Sequence, residues 1–176
     1  MFKLNLLHRP EYFGFYIEDD GPSNHWSDET GKESNKKGFA TIENGVLIRV
    51  LSEFSKIPID IEYDATELAI SQPSRWDRIV ECSIKVRREK ILFTSATDAR
   101  PFAVIDVAKG RFRMRIYWGG QHSGTDDGST ADFYLVQIWP SDDVSTAIVK
   151  GPEVWPRPEQ PWEREVRLQR SGEGAS

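Results

Sequence analysis

A chain of 176 residues is long enough for one sizeable core and too short for two comfortable domains. With 38% hydrophobic and 29% charged residues it has the balance of a soluble globular protein, and no run approaches the roughly 18 apolar residues that a membrane span requires. The net charge of −5 argues against direct nucleic-acid binding, which needs a basic surface to displace counterions.

The elements follow in chain order. The segment beginning MFKLNLLHRPEYF has neither a continuous apolar stretch nor a small-residue cleavage site, so it does not read as a secretory signal. Within it Phe2, Leu4 and Leu6 alternate with Lys3 and Asn5, the period of a strand with one buried face. Tyr12 to Glu18 is the next strand. Ser27 to Lys37 is the one stretch able to form a helix, with Ser27 as N-cap and Asp28 and Glu29 in the first turn. Gly31 weakens it to a short helical turn. Phe39–Ile42 and Val46–Leu51 flank Asn44-Gly45, which predicts a hairpin with a type I′ turn and positive φ at both central residues.

Ile57, Ile59, Ile61 and Tyr63 alternate with Pro58, Asp60, Glu62 and Asp64. In the strand Ile79 to Val86, Cys82 is in phase with Val80, Ile84 and Val86, which makes it a packing residue rather than a nucleophile. As the single cysteine it excludes an intramolecular disulfide and a thiolate zinc cage, and it points to a reducing, cytoplasmic location. Ile91 to Ser95 and Ala103 to Val107 come next. In Arg111 to Tyr117, Phe112, Met114 and Ile116 face the core, while Arg111, Arg113 and Arg115 are expected on a wet face, paired with acidic residues such as Asp60, Glu62 and Asp64. Phe133 to Trp139 is apolar on both sides and reads as a central strand.

Short strands punctuated by Asp20-Gly21-Pro22, Lys109-Gly110, Gly119-Gly120 and Asp127-Gly128 predict an all-β protein. The architecture expected is an antiparallel β-sandwich of about eight or nine strands with at most one short helix. The sandwich domain is assigned to residues 1–150. Residues 151–176 contain Gly151-Pro152, Trp155-Pro156-Arg157-Pro158 and Gln160-Pro161-Trp162, which predict an extended tail, either clamped onto the sandwich by Trp155 and Trp162 or disordered with its tryptophans awaiting a partner.

Catalytic parts are sparse. His8, His25 and His122 stand in no spacing that puts two imidazoles on one metal, and each reads as a surface or loop histidine. No nucleophile elbow, Walker loop or dinucleotide fingerprint occurs. His122 with Asp126 or Asp127 forms the one conceivable acid–base pair, without a nucleophile to serve. Asp126, Asp127 and Asp132 in the loop Trp118–Asp132 could offer oxygens to calcium, joined by Asp19, Asp20, Asp142 and Asp143 from other loops. Acidic residues are equally good turn formers, so no cofactor is required by this pattern.

Acidic side chains collect at turns: Asp19 and Asp20, Asp28 and Glu29, Asp126 and Asp127. They read either as ordinary solvated turn acids or, together, as a surface suited to docking onto a basic protein, with Trp26 as an apolar anchor inside the acidic rim or equally a core tryptophan.

Five short motifs carry a family resemblance: Tyr12-Phe13-Gly14-Phe15-Tyr16; Trp26-Ser27-Asp28-Glu29; Lys37-Gly38-Phe39-Ala40 with Gly45 and an aliphatic strand; Asp106-Val107 with Gly110-Arg111-Phe112-Arg113-Met114; and Ala131-Asp132-Phe133-Tyr134-Leu135. In this order, from Tyr12 to Pro140, the chain resembles the competence protein J family, bacterial inhibitors of a DNA-entry nuclease. The acidic, glycine-rich loop and the proline–tryptophan tail depart from the family pattern. The resemblance implies an intracellular, non-enzymatic protein that binds and silences a basic nuclease or toxin, in the manner of an immunity protein. The partner-binding residues Trp26, Asp28 and Glu29, with Asp19, Asp20, Asp126 and Asp127, come from chemistry and placement, not from the family. A calcium- or ligand-binding sandwich built on the Asp126–Asp132 loop is the alternative.

Overall fold

Period-two alternation becomes strands arranged in two facing sheets. The computed structural model describes residues 1–19, 26–51, 55–97, 100–121 and 131–155. Among these the strands are β1 (Phe2–His8), β2 (Gly14–Asp19), β3 (Phe39–Ile42), β4 (Gly45–Arg49), β5 (Ile57–Tyr63), β6 (Arg78–Val86), β7 (Lys90–Thr94), β8 (Ala103–Asp106), β9 (Gly110–Gly119), β10 (Phe133–Pro140) and β11 (Ala147–Lys150). The helix α1 (Asp28–Lys37) precedes β3, and a short 3-10 turn, Pro73–Arg75, precedes β6. The larger sheet has the order β1-β5-β10-β9-β6-β11 and the smaller β3-β4-β2-β7-β8. The all-β expectation holds. Among the described residues there are eleven strands rather than about eight or nine: each of the ten runs picked out in the sequence forms one, and Ala147–Lys150, weakly patterned in sequence, adds to the edge of β6.

One pairing departs from the antiparallel expectation. β10 lies parallel to β5, with Tyr134 opposite Ile59 and Val136 opposite Ile61. The chain between them builds β6 to β9 in both sheets, so no tight hairpin constrains their relative direction.

Phe15, Ile17, Val46 and Ile48 from the smaller sheet meet Ile59, Ile61, Val80, Ile84, Met114 and Ile116 from the larger one, all fully buried. Cys82 lies in this layer, as its phase requires. β10, between β5 and β9, is central and buried on both faces.

The outer faces of the sheets differ. That of the larger sheet is covered: Trp76 packs on Ile79, Tyr117 and Leu135, and the Leu68 carbonyl accepts from Arg115 Nη1 at 2.6 Å. This corrects the expectation of a wet arginine face. Arg113 and Arg115 are only 4% and 3% exposed. Their partners are the cross-strand Glu81 (Arg115 Nε to Oε1, 2.6 Å; Arg113 Nη2 to Oε2, 3.0 Å) and the covering residue Glu67 (2.9 Å), with the Ser145 carbonyl accepting from Arg113. Asp60, Glu62 and Asp64 are engaged elsewhere, with Asn5, with Lys3 and Gln137, and with the Met1 amino group. Residues distant in sequence close over the arginines, and strand alternation cannot register that.

Three local expectations also shift. Tyr12 and Phe13 take φ of 52° and 55° and form a turn, so β2 begins only at Gly14. The β3–β4 hairpin forms, but its two-residue turn is Glu43–Asn44 and neither residue has positive φ. Their carbonyls accept instead from the amides of Lys85 (2.8 Å) and Asp19 (3.0 Å), so docking on neighbouring strands sets the turn. His8, expected at the surface, is buried at the end of β1, stacked on Phe102 at 3.7 Å and bonded through Nε2 to Ser95 Oγ at 2.7 Å.

Candidate functional site

α1 is a full ten-residue helix rather than the short turn expected. Ser27 caps it as predicted, its Oγ accepting from the Thr30 amide at 3.2 Å, with Asp28 and Glu29 in the first turn and Lys36 and Lys37 in the last. Gly38, at φ 76°, ends it, and its amide donates to the Ser34 carbonyl at 2.7 Å. Packing against β3 and β4 supplies the stability that Gly31 withholds, since short helices depend on tertiary burial.

Where α1 meets the outer face of β2 and β4, a cleft of about 430 Å³ opens. Tyr16 and Trp26 form its aromatic wall, their rings 5.1 Å apart and inclined at 51°. Leu47 and Gly31 lie among its lining, and Asp28, Lys32 and Arg49 give it a charged rim. Arg49 is braced by Ser34 Oγ (3.0 Å) and the Tyr12 carbonyl (3.0 Å). Burial raises the Tyr16 hydroxyl above its usual range, against the lowering influence of Arg49. That keeps it a neutral hydrogen-bonding group. The arrangement combines apolar area with mixed charge, suited to seating a side chain of another protein.

Among the expected binding residues, Trp26 and Asp28 line the cleft, Trp26 half-buried and Asp28 exposed, while Glu29 is exposed on the same first turn of α1 but is not part of the lining. Asp19 does not line it either. It is 3% exposed, and its carboxylate accepts from the amides of Arg87 and Arg88, both at 3.1 Å, fastening the β6–β7 turn. Asp132 is equally committed: its Oδ2 accepts from the Leu51 amide (3.1 Å) and the Tyr134 hydroxyl (2.6 Å). That ties the carboxylate into the core rather than offering it to calcium, and burial with the Asp132 charge holds the Tyr134 pKa well above its usual value. Asp143 is drawn to Arg113 at 3.6 Å. Asp20, His25, His122, Asp126, Asp127 and Trp162 lie outside the described residues. Among the described residues no cluster of three or more metal-ligating side chains occurs.

Sequence reasoning missed Tyr16, Arg49 and Leu47 as cleft residues. The outward phase of Tyr16 on β2 was the available signal, but only the crossing of α1 makes it a wall. Arg78 was also missed. It is fully buried on β6 with no acceptor among the described residues at any of its three nitrogens, and desolvation lowers its pKa.

Fold and cleft together define a two-sheet β-sandwich with a helix laid across the smaller sheet. The solved structure of ComJ, inhibitor of the DNA degrading activity of NucA, from Bacillus subtilis, has a similar fold, with a TM-score of 0.53 and 17% identity, covering 80% of this chain and 96% of that chain. This is the fold resemblance that the five motifs implied. A structure described as crocagin biosynthetic gene J is also similar, at a TM-score of 0.49 and 14% identity, over 80% of this chain and 99% of that one. No family model matches the chain, and no curated protein sequence does.

Proposed function

We propose that this protein is a non-enzymatic, inhibitor-like binding protein, acting in the cytoplasm on a basic nuclease or toxin. The observation that carries the reading is the Tyr16–Trp26 cleft beside the exposed carboxylates of Asp28 and Glu29. The aromatic wall is suited to seating an apolar or aromatic side chain of a partner, and the exposed carboxylates of Asp28 and Glu29 at the start of α1 would steer a basic surface toward it, beside the cations Lys32 and Arg49. The similar fold of ComJ, an inhibitor of a DNA-degrading activity, supports the same reading.

The test is DNA degradation by a nuclease of the NucA type in the presence of this protein, with binding measured across a salt series. We expect suppression of degradation at micromolar protein, and at least tenfold weaker binding for Asp28→Lys with Glu29→Lys. The loss should shrink as salt screens the charges. Undiminished degradation, or equal affinity for the charge-reversed protein, would sink the reading.

A further inference from the structure

Beneath the C-terminal end of α1 lies a feature with no part in the cleft. Arg78, in phase with Val80 and Cys82, points into the sandwich from the start of β6 and is fully buried. Phe39, Trp118 and Trp155 box its guanidinium, their centroids 5.9, 5.8 and 5.8 Å from the central carbon. These distances are longer than the 4.8 Å of Arg75 over Phe133 and the 4.9 Å of Arg115 over Trp139, at the outer part of the range in which a ring face attracts a cation. Aromatic faces attract the charge but offer no lone pairs in the guanidinium plane, and Nε, Nη1 and Nη2 all lack an acceptor among the described residues. The five N–H donors of a guanidinium form a planar fork that a carboxylate fits in bidentate fashion.

What shuts this box is a strap. Gly151, Pro152, Glu153 and Val154 are exposed, and only Trp155 is buried. Its indole lies edge-on to Trp118 at 5.8 Å and over Gly38, where a Cβ would come within 2.3 Å of the ring. The Trp155 amide donates to the Lys36 carbonyl at 2.8 Å, and Lys150 Nζ donates to the carbonyls of Pro73 and Trp76. A surface strap held by one large side chain and few hydrogen bonds belongs to the low-stability end of a fold, where local opening is least costly.

We propose that Arg78 is the base of a carboxylate-binding socket and that Gly151–Trp155 is its lid, moving aside to admit a carboxylate onto the guanidinium fork. The socket is independent of the Tyr16–Trp26 cleft, and its failure would leave the nuclease reading untouched. The test follows the Arg78 Nε–Hε NMR resonance of the full chain at constant ionic strength, assigned through its own backbone amide. The probes are sodium acetate and a short neutral peptide made with either a free or an amidated C-terminus. We expect a saturable shift with a carboxylate probe, at least tenfold tighter in Trp155→Ala, where the lid is gone. A response to acetate and not to the free-ended peptide assigns a small free carboxylate as ligand. A response to the free-ended and not the amidated peptide assigns a chain terminus. No saturable shift in the wild-type protein with either carboxylate probe would overturn the socket, and that arm stands even if Trp155→Ala does not fold.

Discussion

Burial pushes the Cys82 thiol up to about 12, with nearby Arg113 pulling the other way and Glu81 adding to the rise. The folded protein thus keeps this thiol neutral, while the unfolded chain ionises it near the ordinary thiol value of 9.0. A raised folded pKa means stability that is complete below the unfolded value and lost as pH climbs toward the folded one. We therefore expect wild-type stability to decline more steeply than that of Cys82→Val between about pH 9 and 12, by up to about 1.4 kcal/mol per pH unit, in urea unfolding series. Cys82 should also react with a thiol reagent at pH 8 only at the rate of unfolding. At this scale the sequence spoke clearly where phase alone decides burial, as it did for Cys82. It was silent for Asp19, whose carboxylate looks like any surface acid until the β6–β7 turn folds onto it. Arg78 shares the phase of Val80, yet a basic residue there invites no expectation of burial.

Helix α1 allows the same substitution to be tried twice with opposite signs. Gly31 has open space where a Cβ would stand, and helical φ, so Gly31→Ala should stabilise by about 0.5–1 kcal/mol. Gly38 is left-handed and its Cβ would meet the Trp155 ring, so Gly38→Ala should cost at least about 2 kcal/mol from backbone strain and overpacking together. Thermal or denaturant unfolding of the two variants checks both, and equal effects would contradict the Trp155 contact. The helix itself was visible in Ser27, Asp28 and Glu29. Its full length was not, because the packing of Ser34 and Gly38 against the smaller sheet outweighs the propensity cost of Gly31.

Across the whole molecule, protection should follow position in the sheets. β9 and β10 are flanked on both sides and sealed on both faces, whereas β11 is a four-residue edge with a register shift at Ile148 and Lys150. Amide hydrogen exchange should be slowest in β9, β10 and the centre of β6, and β11 with the Gly151–Trp155 strap should open first, at a small fraction of the global unfolding free energy. Uniform protection across both sheets would contradict this. By itself the sequence determined every described strand but β11, the helix cap, the buried phase of Cys82 and the all-β class, because period-two alternation and capping chemistry are local. Only the tertiary structure decided that β10 runs parallel to β5, that Arg113 and Arg115 are covered, and that Tyr16 meets Trp26 in a cleft while Arg78 sits in an aromatic box. Each of these depends on which distant segments meet, and contacts between segments far apart in the chain leave no mark on local periodicity.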